Sequence, residues 1–363
     1  MPPVEVSWFC PLCDDDCALL GVPDERLRSS FAHCREIALR AERNGFDNLL
    51  CPSGYALGID SVSFAAGVAP LLQRMRLLVA VRCGELWPPQ LARQLATLDR
   101  MLGGRLTVNI ISSDLPGAPL ASEARYRRTA ECMQILRSLL DGKPVAGTGE
   151  FYPLEIEPPG AATVSSRAPL LYFGGLSEHA REVAAREADV FLMWPEPLPA
   201  VRGLIEDMRA RARRHGRSLR FGYRVHVIVR ETEDEARAAA RQLVSQLAPE
   251  DGEAIRRRSL DHASIGVRRQ AELREGSDAD GFVEEGLWTG IGRARSGCGA
   301  ALVGDPDQVL AKLRAYQELG IEAFILSGYP HADECDRFAR YVLPQLERAP
   351  LAATPSQPAR GGR

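Results

Sequence analysis

The chain has 363 residues, 45% of them hydrophobic and 26% charged, with a formal net charge of -3. That balance belongs to an ordinary soluble globular protein of one large domain or two smaller ones, and it offers no basic field to nucleic acid or an anionic membrane. No apolar run approaches the roughly 18 to 20 residues of a membrane span, and the start Met1-Pro2-Pro3-Val4-Glu5-Val6 lacks the basic and apolar regions of a signal peptide, so a cytoplasmic location is expected.

Short apolar runs alternate with amphipathic stretches along the chain. Strands are expected at Val4–Cys10, Asn48–Ser53, Leu77–Arg82, Leu106–Ser112, Leu170–Gly175, Val190–Trp194, Phe221–Val229 and Phe324–Gly328. Helical stretches follow most of them, at Asp24–Asn44, Pro89–Leu102, Ser177–Ala188, Leu198–His215, Thr232–Leu247 and Pro306–Leu319. Apolar, β-branched strands alternating with helices predict a parallel sheet covered by helices. Eight such units predict an α/β fold of the (β/α)8 TIM-barrel type. A doubly wound open sheet competes, but no early G-x-G-x-x-G follows a strand. Helix punctuation agrees. Acids crowd the helix start at Glu231–Glu235, Asp305 precedes Pro306, and Gly45, Gly216 and Gly320 stand where helices should stop.

The reading gives a single domain over residues 1–348 with two insertions. One, Gly142–Arg167, is rich in Pro and Gly and follows strand four; the other, Ala248–Gly299 (residues 248–299), follows strand seven. Long connections of this kind are usually lids or binding loops. Residues 349–363, rich in Pro, Ala, Gly and Arg, read as a disordered tail.

Several residues have the chemistry of a site. Cys10-Pro11-Leu12-Cys13-Asp14-Asp15-Asp16-Cys17 lacks the fourth ligand and second pair of a metal site, so three thiols on a loop and no metal are expected. The remaining cysteines sit singly in apolar segments, as in a reducing compartment. Gly174-Gly175-Leu176-Ser177 links a strand to a helix whose free amides suit a phosphate. Trp194 ends a strand, as rim packing or as a site wall. Arg224 and His226 are two apart on a strand and share a face. A guanidinium buried there needs either an internal ion pair or a bound anion. Arg295, among glycines, reads as a solvated loop arginine or as a second anion contact. Tyr329 and His331 close the last strand, as donors to an oxyanion or, for His331, as the opening of the next helix.

Taken together these segments resemble the bacterial luciferase-like flavin monooxygenases, and the alkanesulfonate monooxygenases among them most. The resemblance runs along almost the whole chain in order and spacing: Trp8-Phe9, Gln94–Arg100, Tyr172–Gly175, Trp194–Pro197, Arg224–Thr232, Leu287–Gly292, Ala301–Gly304 and Leu326–His331. It implies a TIM barrel that uses reduced FMN (FMNH2) and O2, with the flavin supplied transiently by a separate NAD(P)H-dependent flavin reductase. Oxygen adds to the flavin, and the peroxy adduct attacks the substrate. In the sulfonate branch the C–S bond breaks to give an aldehyde and sulfite. The resemblance further implies that Arg224, His226, Arg295 and Tyr329 hold sulfonate and oxygen atoms beside His331, with Trp194 lining the site. Gly174, Gly175 and Ser177 would meet the FMN phosphate near Tyr126, and Asn109 would approach the flavin ring. Residues 248–299 would include a mobile lid, and a homodimer or homotetramer is expected by analogy.

The chain departs from that family at its first loop, where the family's histidines are missing, at Pro52–Leu57, where the family's cysteine is missing, and in the short loop Ser112–Gly117. The substrate wall is therefore expected to be particular to this chain and to include Cys10, Asp14, Asp15, Asp16, Tyr55 and Leu57. An acidic wall opposite an arginine clamp would suit an amino-sulfonate. The alternatives are the same flavin chemistry on a sulfone, nitrogen heterocycle or biosynthetic intermediate, a deazaflavin-dependent oxidoreductase, and a noncatalytic flavin-binding subunit.

Overall fold

The computed structural model describes residues 1–258, 260 and 264–352. Residues 259 and 261–263 of the expected lid, and 353–363 of the expected tail, lie outside that description. Thirteen strands occur among the described residues: β1 Glu5–Phe9, β2 Asn48–Cys51, β3 Arg76–Arg82, β4 Leu106–Ile111, β5 Val145–Thr148, β6 Pro153–Ile156, β7 Leu171–Phe173, β8 Val190–Met193, β9 Arg220–Val229, β10 Phe282–Glu284, β11 Leu287–Trp288, β12 Ala301–Gly304 and β13 Ala323–Ser327. Eleven α-helices accompany them: α1 Phe31–Arg43, α2 Ser61–Val68, α3 Pro88–Met101, α4 Ser122–Leu140, α5 Glu178–Glu187, α6 Leu198–Arg214, α7 Glu233–Leu243, α8 Pro249–Arg257, α9 Ile265–Glu275, α10 Pro306–Leu319 and α11 His331–Tyr341.

Strands β1, β2, β3, β4, β7, β8, β9 and β13 pair in parallel in that order, and β13 returns to β1. This is the closed eight-stranded barrel expected of the sequence. Strand parity divides its core. Phe9, Leu50, Leu78, Tyr172, Val190, Ala323 and Ile325 fill the interior. Leu77, Val79 and Val108 belong to the larger cluster that joins the outer faces to helix residues such as Leu91, Leu95 and Leu136. The helices are stopped as the glycines predict: Gly45, Gly216 and Gly320 have φ of +86°, +66° and +111°. Reciprocal capping boxes start α7 at Thr232 and α10 at Asp305. None of the described helices is long and apolar enough to cross a membrane.

Both insertions have regular structure of their own. The first holds the β5–β6 hairpin. The second begins beyond α7 and holds α8, α9, β10 and β11. It is anchored because β9, at ten residues, outruns its barrel neighbours: β8 pairs with Arg220–Tyr223, while β12 pairs with His226–Val229. Strands β11 and β10 then extend the sheet antiparallel from β12.

The expected tail boundary moves. Residues 349–352 stay on the N-terminal end of the barrel, where Ala349 N–H donates to Val4 O and Leu351 is buried in the interior cluster. Leu351 N–H donates to Glu5 at 3.0 Å and its carbonyl accepts from Arg76 at 2.5 Å. One apolar side chain in a Pro- and Ala-rich stretch suffices to plug the barrel floor.

Candidate active site

The second half of β9 carries Arg224 and His226 into the barrel mouth. Arg224 is 5% exposed, and no carboxylate pairs with it among the described residues. Its Nη1 donates only to the carbonyls of Val225 (3.0 Å) and Ile325 (3.5 Å), and its guanidinium lies 4.4 Å from the centroid of the Phe9 ring. Burial pushes its pKa below the ordinary guanidinium value. A cation in this setting stabilises whatever anion is offered to it.

His226 Nδ1 is 2.7 Å from Ser327 Oγ, and its ring stacks on Tyr329 at 5.3 Å. Burial, together with Arg224 and Arg295, pushes its pKa well below the usual imidazole value, so it is neutral. Burial pushes the Tyr329 phenol up, against the opposing pull of Arg295; the hydroxyl keeps its proton and has no partner among the described residues. Arg295 pairs with Asp14 and lies over the Tyr329 ring. Burial opposes its charge, but Tyr329 and Asp14 outweigh burial and raise its pKa.

Two cavities meet at this mouth. One, of about 270 Å³, is lined by Phe9, Asp14, Arg224, His226, Arg295 and Cys298 among others. The other, of about 240 Å³, is lined by Tyr126, Gly174, Gly175, Leu176, Ser177 and Gln270 among others. Asn109, Leu192 and Trp194 line both and form the partition. The second cavity fits a flavin nucleotide. Its wall is largely apolar, and at one end stands the N-terminus of α5, capped by Ser177 accepting from Ala180 N–H. A Cβ on Gly174 would sit 2.0 Å from Leu192 O, and Gly175 has φ +149° with an added Cβ 2.7 Å from Ala180 Cβ. Only glycine leaves the backbone this close, beside Tyr126 OH, for a phosphate to reach the helix amides.

The structure thus brings Arg224, His226, Arg295 and Trp194 to one cavity and Asn109, Tyr126, Gly174, Gly175 and Ser177 to the adjoining one. Tyr329 stacks behind His226 without lining either. His331 stands further back: it is buried, and its Nδ1 is 2.7 Å from Asp16. The proposed acidic wall does not form. Asp14 is neutralised by Arg295, and Asp15 accepts from Ser29 N–H and lines a separate surface cleft. Asp16 is buried, taking hydrogen bonds from His331 and standing 3.1 Å from His33 Nε2. Burial opposes its charge, but His331 and His33 outweigh it and hold the carboxyl well below the usual range. Cys10 is also removed from the cavity, its Sγ donating to Cys34 O. Tyr55 and Leu57 do line the larger cavity.

Two features escaped the sequence reading. Arg82 ends β3 inside the same cavity as Arg224; the signal was available, since it too closes an apolar strand. Glu196 is buried and clamped by Arg269 of α9 at 2.8 Å, a pairing across the insertion that no local pattern announces.

A cation-lined barrel mouth beside a nucleotide cradle defines a flavin-using oxidoreductase of the TIM-barrel type. This chain belongs to the luciferase-like monooxygenase family, whose model matches residues 4–323. Within that family it is similar to the sulfoquinovose monooxygenase of Novosphingobium aromaticivorans, with 63% identity over 354 residues that cover 96% of this chain and 98% of the relative. A sulfoquinovose monooxygenase of Agrobacterium fabrum is 52% identical over 96% of this chain and 91% of its own length. Among solved structures, a riboflavin lyase with modified FMN and riboflavin superposes with a TM-score of 0.78 at 17% identity, covering 96% of this chain and 93% of that one, which shows the shared fold.

Proposed function

We propose that this chain is an FMNH2- and O2-dependent monooxygenase that cleaves the C–S bond of sulfoquinovose, a hexose with a sulfonate on C6. The products are sulfite and the C6 aldehyde, and a separate NAD(P)H-dependent reductase supplies the reduced flavin. The carrying observation is Arg224, a buried cation on the cavity wall with carbonyls and a phenyl ring around it and, among the described residues, no carboxylate paired with it. A sulfonate supplies the missing anion. The curated relatives of 63% and 52% identity are named for a sulfonate substrate, which supports the same reading.

Gly174, Gly175 and Ser177 would hold the phosphate of reduced FMN in the cavity that Asn109 lines, and the flavin would supply the activation of oxygen. The remaining work falls to the chain. Arg224 and Arg295 hold the sulfonate with charge-assisted hydrogen bonds. Neutral His226, with Nδ1 engaged by Ser327, has Nε2 left to take a proton from the substrate carbon. Tyr329 keeps a hydroxyl donor in reserve beside Arg295. Trp194 and the insertion exclude water from both cavities. Asp14, tied to Arg295, offers no free carboxylate to an amine, so the amino-sulfonate preference is not part of this proposal.

The test is sulfite release from sulfoquinovose by the purified chain with FMN, a flavin reductase, NAD(P)H and oxygen. Arg224→Met is expected to lower kcat/KM about 10- to 150-fold, the worth of a charge-assisted contact. Flavin turnover without sulfite from the unaltered chain would overturn the assignment.

A further inference from the structure

Across the barrel mouth from Arg224 stands a second buried arginine that the reaction as described does not use. Arg82 closes β3 and is 4% exposed. Its Nε donates to Glu85 Oε1 at 2.8 Å, while its Nη1 is buried and without a hydrogen-bond partner among the described residues. Parity places Arg82 on the same face as Leu78, whose side chain belongs to the barrel interior. It lines the larger cavity together with Arg224 and Arg295, and it does not line the cavity of the glycine cradle. β3 and β9 are third and seventh in a closed ring of eight, so Arg82 and Arg224 approach the cavity from opposite walls. A buried guanidinium N–H left without an acceptor is costly. Here the guanidinium stands on the wall of the cavity away from the sulfonate clamp.

We propose that Arg82 is a specificity-determining residue that donates from its guanidinium to the hydroxyl-bearing end of the sugar, while Arg224 and Arg295 hold the sulfonate end. The proposal rests on the sulfosugar reading above. A site with a buried donor aimed at a hydroxyl rejects an analogue that lacks it, because the donor then stays unpaired. Plain alkanesulfonates satisfy Arg224 and Arg295 but offer nothing to Arg82. Glu85 is the positioning residue: it holds Nε and so fixes where the fork points. A competing acceptor exists in Gln94, whose Oε1 is also buried and unpartnered and which shares a cleft behind β3 with Arg82 and Glu85. A guanidinium that serves only Gln94 would leave substrate kinetics unmoved.

The experiment compares unaltered chain, Arg82→Met and Glu85→Gln in the reductase-coupled sulfite assay. Binding of FMN and inhibition by hexane-1-sulfonate are measured alongside. Arg82→Met is expected to raise KM for sulfoquinovose about tenfold or more, the loss of one charge-assisted contact, with FMN affinity and the hexane-1-sulfonate inhibition constant unchanged. Glu85→Gln should raise the same KM by a smaller factor, and it carries the test if Arg82→Met does not fold. A weakened FMN affinity with unchanged KM would assign Arg82 to the flavin and overturn the proposal. So would an unchanged KM in both variants, which leaves the guanidinium to Gln94. An unaltered chain that releases no sulfite from sulfoquinovose overturns the functional reading itself, and this inference with it. An active chain with an unmoved Arg82→Met overturns this inference alone.

Discussion

Asp16 shows how much one side chain of this loop is asked to hold. Its carboxylate accepts from His331 N–H at 3.0 Å and from Cys17 N–H at 2.9 Å, and it meets His331 Nδ1 and His33 Nε2 at 2.7 and 3.1 Å. It therefore ties the loop after β1 to the start of α11, directly behind Tyr329. Asp16→Asn keeps the shape but turns acceptors into donors. It should lower stability on the order of 3 kcal/mol, as when one partner of a buried pair is lost, measured by urea unfolding at neutral pH. The pH dependence has two signs. The Asp16 pKa is depressed on folding, so its stabilisation is present above the unfolded value of about 3.9 and is lost as pH falls through the folded value. His33 is raised by its hydrogen bond to Asp16, so its stabilisation is complete below about 6.5 and is lost as pH rises through its folded value. As pH rises above about 6.5 and through the raised folded value of His33, the unaltered chain should lose stability, and Asp16→Asn should not. Sequence reading found Arg224 and His226 because two-residue parity is local. It assigned Asp16 to the substrate wall because a run of three acids looks exposed, while its partners lie 17 and 315 positions away.

At the scale of elements, the insertion after α7 is fastened to the partition between the two cavities. Arg269 grips Glu196 through Nε and Nη2, both at 2.8 Å, and Gln270 Nε2 donates to Pro195 O at 2.8 Å. Gly266 and Gly297 lie against the Trp194 ring, where added Cβ atoms would stand 2.9 and 3.1 Å away. These contacts put α9 at the cavity of the glycine cradle and Arg295 at the cavity of Arg224 from one segment. Arg269→Met should release that fastening. The expected outcome is a higher KM for reduced FMN, together with faster proteolytic cleavage between residues 249 and 299, read by steady-state kinetics and limited proteolysis. Unchanged cleavage with raised KM would mean that the guanidinium acts on the flavin site without holding the insertion. The eight barrel strands were legible because each is an apolar run and most are followed by a helical period. The β10–β12 sheet was not, since strands of two to four residues carry too little pattern. The one clue was β9 itself, whose run is longer than a barrel strand needs.

Over the whole molecule the two ends of the barrel are divided between chemistry and closure. The C-terminal ends of the strands present Arg82, Asn109, Trp194, Arg224 and His226 to the cavities, while the opposite end is sealed by a buried polar set under Leu351. Glu5 accepts from Tyr172 OH at 2.9 Å, Asn48 Nδ2 at 3.3 Å and Leu351 N–H at 3.0 Å. Its composition made the segment from residue 349 read as a disordered tail, because composition averages over the one leucine that matters. A chain ending at Arg348 loses the burial of Leu351 and leaves Glu5 and Arg76 each short of a partner. A chain ending at Ala352 keeps all three. The shorter chain should be less stable by about 2–4 kcal/mol, from one buried leucine and the unsatisfied groups beneath it, read as a lower Tm and urea midpoint. Its kcat for sulfite release, at temperatures where both are folded, should match that of the longer chain, because Leu351 sits at the end of the barrel opposite both cavities and lines neither. A matched stability with a collapsed kcat would show instead that the floor positions the mouth. The division of labour between barrel ends would then fail for this molecule.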